Sequence, residues 1–151
     1  MIQKVDTNDR KAVRNMNNVL QVYELLINQQ RVPEVATLLD SGYIQHNPIT
    51  PDTAQGLLQF WSKITKERAL AHAVVHRIIA VDDYVWAHVN FLNLFNDDPH
   101  DTGIAGVDIF KMNADGKALE HWDCLQLVGS ENNAAPWLGP DLPRATPHRM
   151  F

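Results

Sequence analysis

Two short stretches late in the sequence hold ionisable side chains among apolar ones: GVDIFKM, with Asp108, and LEHWDCLQL, with His121 and Asp123. Both are rich in β-branched and aromatic residues and read as strands. Side chains alternate along a strand, so His121, Asp123, Leu125 and Leu127 share one face, and Glu120, Trp122, Cys124 and Gln126 the other. The NADG sequence between the two stretches marks a hairpin turn. A four-residue loop, Asn113 to Gly116, sets Asp108 opposite His121, whereas a two-residue loop at Asp115-Gly116 sets it opposite Asp123. In both registers Asp108, His121 and Asp123 converge with Phe110, Leu119 and Leu125. A three-residue loop would move Asp108 to the other face. Two carboxylates and an imidazole among apolar groups suit general acid/base chemistry. Desolvation raises a carboxylic acid's pKa and a neighbouring imidazolium lowers it, so one Asp can be held protonated or poised near neutrality. The plainer alternative is a cross-strand Asp108–His121 pair on a wet face, worth a fraction of a kcal/mol.

Other histidines offer partners. His88 lies in an apolar strand with Trp86 and Asn90 on its face, and fits a buried, hydrogen-bonded histidine as well as a site residue. His46-Asn47-Pro48 places two polar side chains on a stiff backbone before a helix. That suits a pocket rim, or a turn whose Asn bonds its own backbone. Trp61, Trp86 and Phe110 are candidate apolar walls. Seven histidines raise the question of metal. No H-E-x-x-H, Cys-rich pair or EF-hand pattern is present, and a set built on His76, His88 and His121 has no signature, so no metal is expected. Phosphate-binding Gly-rich loops and a G-x-S-x-G elbow are also absent.

The elements that must position these residues follow from periodicity. Val13, Met16, Leu20, Tyr23 and Ile27 recur at helical spacing behind the N-cap candidates Thr7, Asn8 and Asp9, giving a long helix over Asp9 to Gln30. Pro33 opens a shorter helix through PEVATLL, with Gly42 placed to end it. GYIQHNP is extended, because Pro48 keeps Asn47 out of the α region. A third helix starts at Thr50-Pro51-Asp52 and carries the stripe Leu57, Phe60, Trp61 and Ile64. Four β-rich segments follow with short links and should pair antiparallel. The order predicts an α+β fold, a curved antiparallel sheet with the N-terminal helices on one face and a pocket within the cone. Residues 1–128 form the single domain. Residues 129–151 form a Pro-rich tail, with Trp137 and Leu138 as its anchor.

A chain of 151 residues can bury one sizeable core. A net charge of −5 without a Lys/Arg cluster argues against nucleic-acid and anionic-membrane partners. Cys124 is the only cysteine, so no internal disulfide is expected. The N-terminus lacks a signal-peptide core and no apolar run reaches membrane-spanning length, so a cytoplasmic protein is expected.

YIQHNP and GVDIFKMNADGKALEHWDCLQ, in this order around the expected elements, resemble the SnoaL-like polyketide cyclases of the nuclear-transport-factor-2-like superfamily. More narrowly, the chain is similar to a bacterial branch of predicted aldol-condensation enzymes. There a Tyr-x-Gln-His-Asn-Pro stretch precedes a helix, and a Val-Asp-Ile-Phe-Arg strand leads through Gly-Lys into Glu-His-Trp-Asp and a later Gln. The match takes in Tyr43, Gln45, His46, Asn47, Pro48, Val107 to Phe110, Gly116, Lys117, Glu120 to Asp123 and Gln126. It departs at Lys111, where Arg is usual, and in the longer tail. The resemblance covers most of Val13 to Val128. It implies a cone-shaped α+β barrel, a homodimer joined through the sheets, and acid/base catalysis without a cofactor on a small hydrophobic carbonyl compound. By that analogy Asp108 or Asp123 removes a proton α to a carbonyl. His121, His88 or His46 stabilises the enolate oxygen or protonates the new alkoxide, and Asn47, Trp61, Trp86 and Phe110 contact substrate. The same fold hosts noncatalytic binders and epoxide hydrolases, which are the alternatives.

Overall fold

Asp9 starts the first helix. Its carboxylate accepts the backbone N–H groups of Lys11 and Ala12, both at 3.0 Å, two of the donors that a helix start leaves unpaired. The structure, a computed structural model, describes residues 1–128, so the tail expected over 129–151 and its Trp137–Leu138 anchor lie outside the described residues. Helix α1 runs Arg10–Tyr23 and then widens into a π-helical turn at Glu24–Asn28, closed by the Gln29 N–H on the Glu24 carbonyl at 2.8 Å. Apolar spacing predicts a helix here but does not register the wider turn. Such turns are rare and recur at functional sites, and this one carries Leu26 and Ile27, both buried, just after buried Tyr23.

Val32–Leu38 forms a 3₁₀ segment with Pro33 in its first turn. Gly42 does not end a helix. Leu39 is already extended (φ −101°, ψ 143°), and Gly42 sits inside β2, Leu39–Gln45. Tertiary pairing explains the difference, because β2 lies parallel to a later strand and its backbone groups bond there. Helix α2, Ala54–Glu67, is capped by the Thr53 hydroxyl, which accepts the Gly56 N–H at 3.1 Å.

Strands β3 (His72–Val81), β4 (Tyr84–Leu92), β5 (Ile104–Met112) and β6 (Ala118–Leu127) pair antiparallel in sequence. The four pair as expected, and two further strands extend the sheet at its edges. A short N-terminal strand β1, Ile2–Lys4, joins β3 in parallel, and β2 joins β6 in parallel, giving the order β1-β3-β4-β5-β6-β2. Three residues are too few to display a period, so β1 was not legible as a strand. The helices cover one face of this curved sheet, and Val19, Ile27, Val35, Ile78, Val85 and Val89 are fully buried in the shared core. The result is an α+β cone. Among the described residues no helix is long and apolar enough to cross a membrane.

Polar residues of α1 fix its position over the sheet. Arg14 donates to the Ala114 carbonyl at 2.9 Å and Asn18 to the Gly116 carbonyl at 2.7 Å, gripping the β5–β6 turn. Asn15, fully buried, donates to the Asp82 carbonyl at 3.2 Å in the β3–β4 turn, and Lys11 pairs with Asp83. At the far end the Asn28 amide serves both backbone groups of Ala73, accepting its N–H at 2.8 Å and donating to its carbonyl at 3.2 Å. The helix is thus tied at both ends, and Tyr23 is held between the ties.

The last hairpin reaches an expected register by an unexpected route. Asn113 N–H bonds the Lys117 carbonyl at 2.8 Å, which leaves a three-residue loop with Gly116 at φ +79°. By itself that loop would put Asp108 on the wrong face. The pairing shifts by one residue between Lys111 and Met112, a β-bulge around Leu119, so Lys111 faces Glu120, Phe110 faces His121 and Asp108 faces Asp123. The bulge restores the parity that the loop breaks. A second shift, in β3 between Val75 and Arg77, brings Arg77 rather than His76 opposite His88.

Candidate active site

Between the helices and the covered face of the sheet lies a cavity of about 700 Å³, its open mouth included. Its walls are apolar, with Leu26, Leu57, Trp61, Phe91, Leu94 and Phe110 prominent, and no lysine or arginine is among the described residues that line it. Asp108, His121 and Asp123 enter this space together. One nitrogen of His121 and one oxygen from each carboxylate all lie within 4.8 Å of one another.

Each member of this triangle is held by a partner behind it. Tyr23 donates its hydroxyl to Asp108 Oδ2 at 2.5 Å, and its own ring sits edge-on to Phe110 at a centroid distance of 6.1 Å. Asn47 donates its side-chain amide to Asp123 Oδ2 at 2.5 Å, while its Oδ1 accepts the Ile49 N–H at 2.8 Å. Asn47 therefore serves the turn and the pocket at once. Gln45 Oε1 faces His121 Nδ1 at 2.6 Å; a carbonyl oxygen only accepts, so Nδ1 carries the proton and Nε2 a lone pair. Among the described residues, Asp108 Oδ1 and His121 Nε2 are buried and have no hydrogen-bond partner.

Burial sets the electrostatics. It pushes Asp108 up to about 7, with Tyr23's hydrogen bond opposing the rise and the Asp123 charge adding to it. Burial also raises Asp123, opposed by Asn47. His121 is pushed down to about 3, first by burial and then by the charge of His46, so the imidazole is neutral near pH 7. Tyr23 and Tyr43 are driven above the ordinary tyrosine range by burial, with the Asp108 charge adding to it. Tyr23→Phe removes the one bond that favours the Asp108 carboxylate and should move its ionisation further above 7. Carboxyl ¹³C chemical shifts followed through a pH titration measure this, and an unchanged midpoint would show that Tyr23 does not hold the carboxylate.

The remaining sequence-predicted residues divide by the face of their element. Asn47, Trp61 and Phe110 line the cavity; His46, His88 and Trp86 do not. His46 projects to the opposite face, where its ring stacks on Trp122 at 4.5 Å and its Nε2 lies 3.1 Å from Glu120, which also binds Lys111. In β4 the buried residues Val85, Ala87, Val89 and Phe91 alternate with Trp86 and His88, which therefore face outward. His88 Nδ1 lies 3.0 Å from Arg77, and burial and the Arg77 charge lower its pKa. Tyr23, Tyr43 and Gln45 were not among the predicted site residues. For the latter two a signal existed: Tyr43, Gln45 and Asn47 alternate along an extended segment and must share a face that His46 does not. Only packing places Tyr23 against Asp108.

One imidazole nitrogen and two carboxylate oxygens are also a donor set that a divalent ion such as zinc accepts.

Residues 19–121 match the family model described as the SnoaL-like domain. Comparison with curated protein sequences finds no match. Among solved structures the fold is shared with a polyketide cyclase candidate from Bacillus cereus ATCC 10987, at 18% identity and a TM-score of 0.69 over 82% of this chain and 83% of that one. It is also shared with a ketosteroid isomerase candidate from Kribbella flavida DSM 17836, at 16% identity and 0.64 over 91% and 96%. A SnoaL-like polyketide cyclase candidate from Jannaschia sp. CCS1 aligns at 14% identity and 0.63 over 80% and 91%. The family model covers well over half of the sequence, and the fold agrees: the chain belongs to the SnoaL-like domain family.

Proposed function

We propose that the protein is a cyclase or isomerase acting on a small hydrophobic carbonyl compound by general acid/base chemistry in the apolar cavity, without a cofactor. The observation that carries this reading is the convergence of two carboxylates and a neutral imidazole within 4.8 Å inside an otherwise apolar enclosure. Asp123, half-buried and oriented by Asn47, is the base that takes the proton α to the carbonyl. Asp108, protonated up to about pH 7, is the acid. Tyr23 occupies its Oδ2, so the acidic proton sits on Oδ1 and can stabilise or protonate an enolate or alkoxide oxygen. His121 has no proton on Nε2 and accepts a hydrogen bond there. The oxyanion role that analogy assigned to a histidine thus passes to Asp108 in this reading.

The test is hydrogen–deuterium exchange at the α carbon of a panel of polyketide-like ketones, with ¹⁸O-water run in parallel. Enzyme-dependent exchange that falls by about 10²–10⁴-fold in Asp123→Asn is the expected result. Exchange equal to that without protein would leave a binding protein, and incorporated solvent oxygen would indicate a hydrolase.

The uncovered face of the sheet supports a homodimer. Ile79, Trp86, Ile109 and Trp122 lie side by side across β3 to β6, and Ile79, Val81, Tyr84, Trp86 and Val107 are exposed among the described residues. A contiguous apolar patch of this kind marks an interaction surface. Trp86→Glu is expected to shift the protein from dimer to monomer in sedimentation velocity, and a parent protein that sediments as a monomer would remove the proposal.

A further inference from the structure

The interior polar groups have a mismatch that proton transfer does not explain. Above about pH 7, where Asp108 is ionised, three acceptor-bearing side chains converge: one oxygen from each of Asp108 and Asp123 and one nitrogen of His121 lie within 4.8 Å of one another, and the N–H of His121 is spent on Gln45. Tyr23 donates to Asp108 and Asn47 to Asp123, and Tyr43, which carries a further hydroxyl, lines the same cavity. Two of the acceptor-bearing side chains are more than nine-tenths buried, Asp108 and His121, and among the described residues each keeps one unpartnered atom. A buried acceptor without a donor costs about 1–3 kcal/mol, and more when charged. Among the described residues no lysine or arginine lines the cavity to offset the carboxylates.

The dimensions say what would complete the arrangement. Three atoms all within 4.8 Å of one another have a point no more than about 2.8 Å from each, the length of a charge-assisted N–H···O hydrogen bond. We propose that this triangle is a binding site for the primary ammonium group of a hydrophobic amine, whose three N–H donors meet Asp108, Asp123 and His121 while its apolar body lies against the cavity's aromatic walls. Count, distance and charge agree: three donors for three acceptors, and a cation for a carboxylate pair. A hydroxyl brings one donor and no charge. Trp61, Phe91 and Phe110 supply an apolar enclosure in which aromatic rings also favour a cation. The inference goes beyond the proton-transfer reading, because it concerns what the triangle binds and stands whether or not turnover occurs.

Isothermal titration of the full chain at pH 8 with 2-phenylethylamine, 2-phenylethanol and N,N-dimethyl-2-phenylethylamine tests it. The primary amine should bind at least about tenfold more tightly than the alcohol and than the dimethylamine, which keeps a single N–H donor. Asp123→Asn should remove most of the amine's advantage and leave alcohol binding within about twofold. Asp108→Asn should act in the same way, and circular dichroism confirms that each variant is folded. Should one fail to fold, the other carries the comparison. Equal binding of amine and alcohol would overturn the proposal, as would amine affinity indifferent to both substitutions. Stoichiometric binding of Mn²⁺ that displaces the amine and is lost in Asp123→Asn would overturn it in favour of a metal centre. α-Carbon exchange on ketones is read separately, so failure of amine binding does not bear on the catalytic reading.

Discussion

Asp108→Asn should make stability climb by roughly 3 kcal/mol between pH 4 and pH 6.5, a window in which the parent protein is nearly flat. Two buried groups oppose each other there. Burial holds Asp108 at about 7, against its ordinary 3.8. From about pH 4 upward the unfolded chain releases this proton while the folded protein keeps it. Stability is therefore fully present below the unfolded value, and is lost as pH rises through about 7. Burial holds His121 at about 3, against 6.5. Below pH 6.5 the unfolded chain takes up a proton that the folded protein refuses, so stability falls as pH drops toward 3. Each group alone gives a slope of about 1.4 kcal/mol per pH unit, with opposite signs where the windows overlap. The groups facing Asp108 are Tyr23 from α1, Tyr43 from β2, and His121 and Asp123 from β6. Of these, Asp123 is also raised and adds a weaker slope of the same sign as Asp108 in both proteins. Removing the Asp108 carboxyl leaves the His121 slope exposed. Urea unfolding at closely spaced pH values measures it, and a variant profile parallel to the parent's would mean that Asp108 titrates as an ordinary carboxylate.

Phe110→Ala carries the largest expected loss of stability, about 3–5 kcal/mol. Phe110 is 4% exposed, lies edge-on to Tyr23, and packs against His121 with ring centroids 4.5 Å apart. Truncation opens space beside Tyr23, which orients Asp108, and beside His121, itself one corner of the triangle. The surroundings close only partly over such a gap, so the lost contacts and the residual cavity both count. Phe110→Leu keeps most of the volume and should cost less than half as much. Thermal and chemical unfolding distinguish the two. Equal losses would mean that ring shape, not volume, is what the core requires. In the alanine variant the enlarged cavity should admit bulkier ligands, read as tighter binding of naphthyl than phenyl ketones relative to the parent.

Strand alternation, turn residues and apolar periodicity act over a few neighbours, and they carried a good deal. They placed Asp108, His121 and Asp123 in two adjacent strands, a helix start among Thr7, Asn8 and Asp9, and helices before strands in an α+β cone. The same alternation, applied to YIQHNP, separates Tyr43, Gln45 and Asn47 from His46. The spread of histidines drew attention to His46 and His88, whereas parity turns both outward. The β5–β6 register was less legible. An odd loop and a compensating bulge give the same outcome as an even loop, and turn composition does not reveal the bulge at Leu119.

The sequence by itself determined which residues could meet, because the two-residue repeat of a strand and the turn of a helix are local properties of the chain. It did not determine the chemistry of their meeting. A carboxyl near 7, an imidazole near 3 and a Tyr23 hydroxyl on Asp108 depend on how much water is excluded and on what packs from elements 85 residues apart. Desolvation and hydrogen bonding belong to the closed cavity, and only the tertiary structure encloses it.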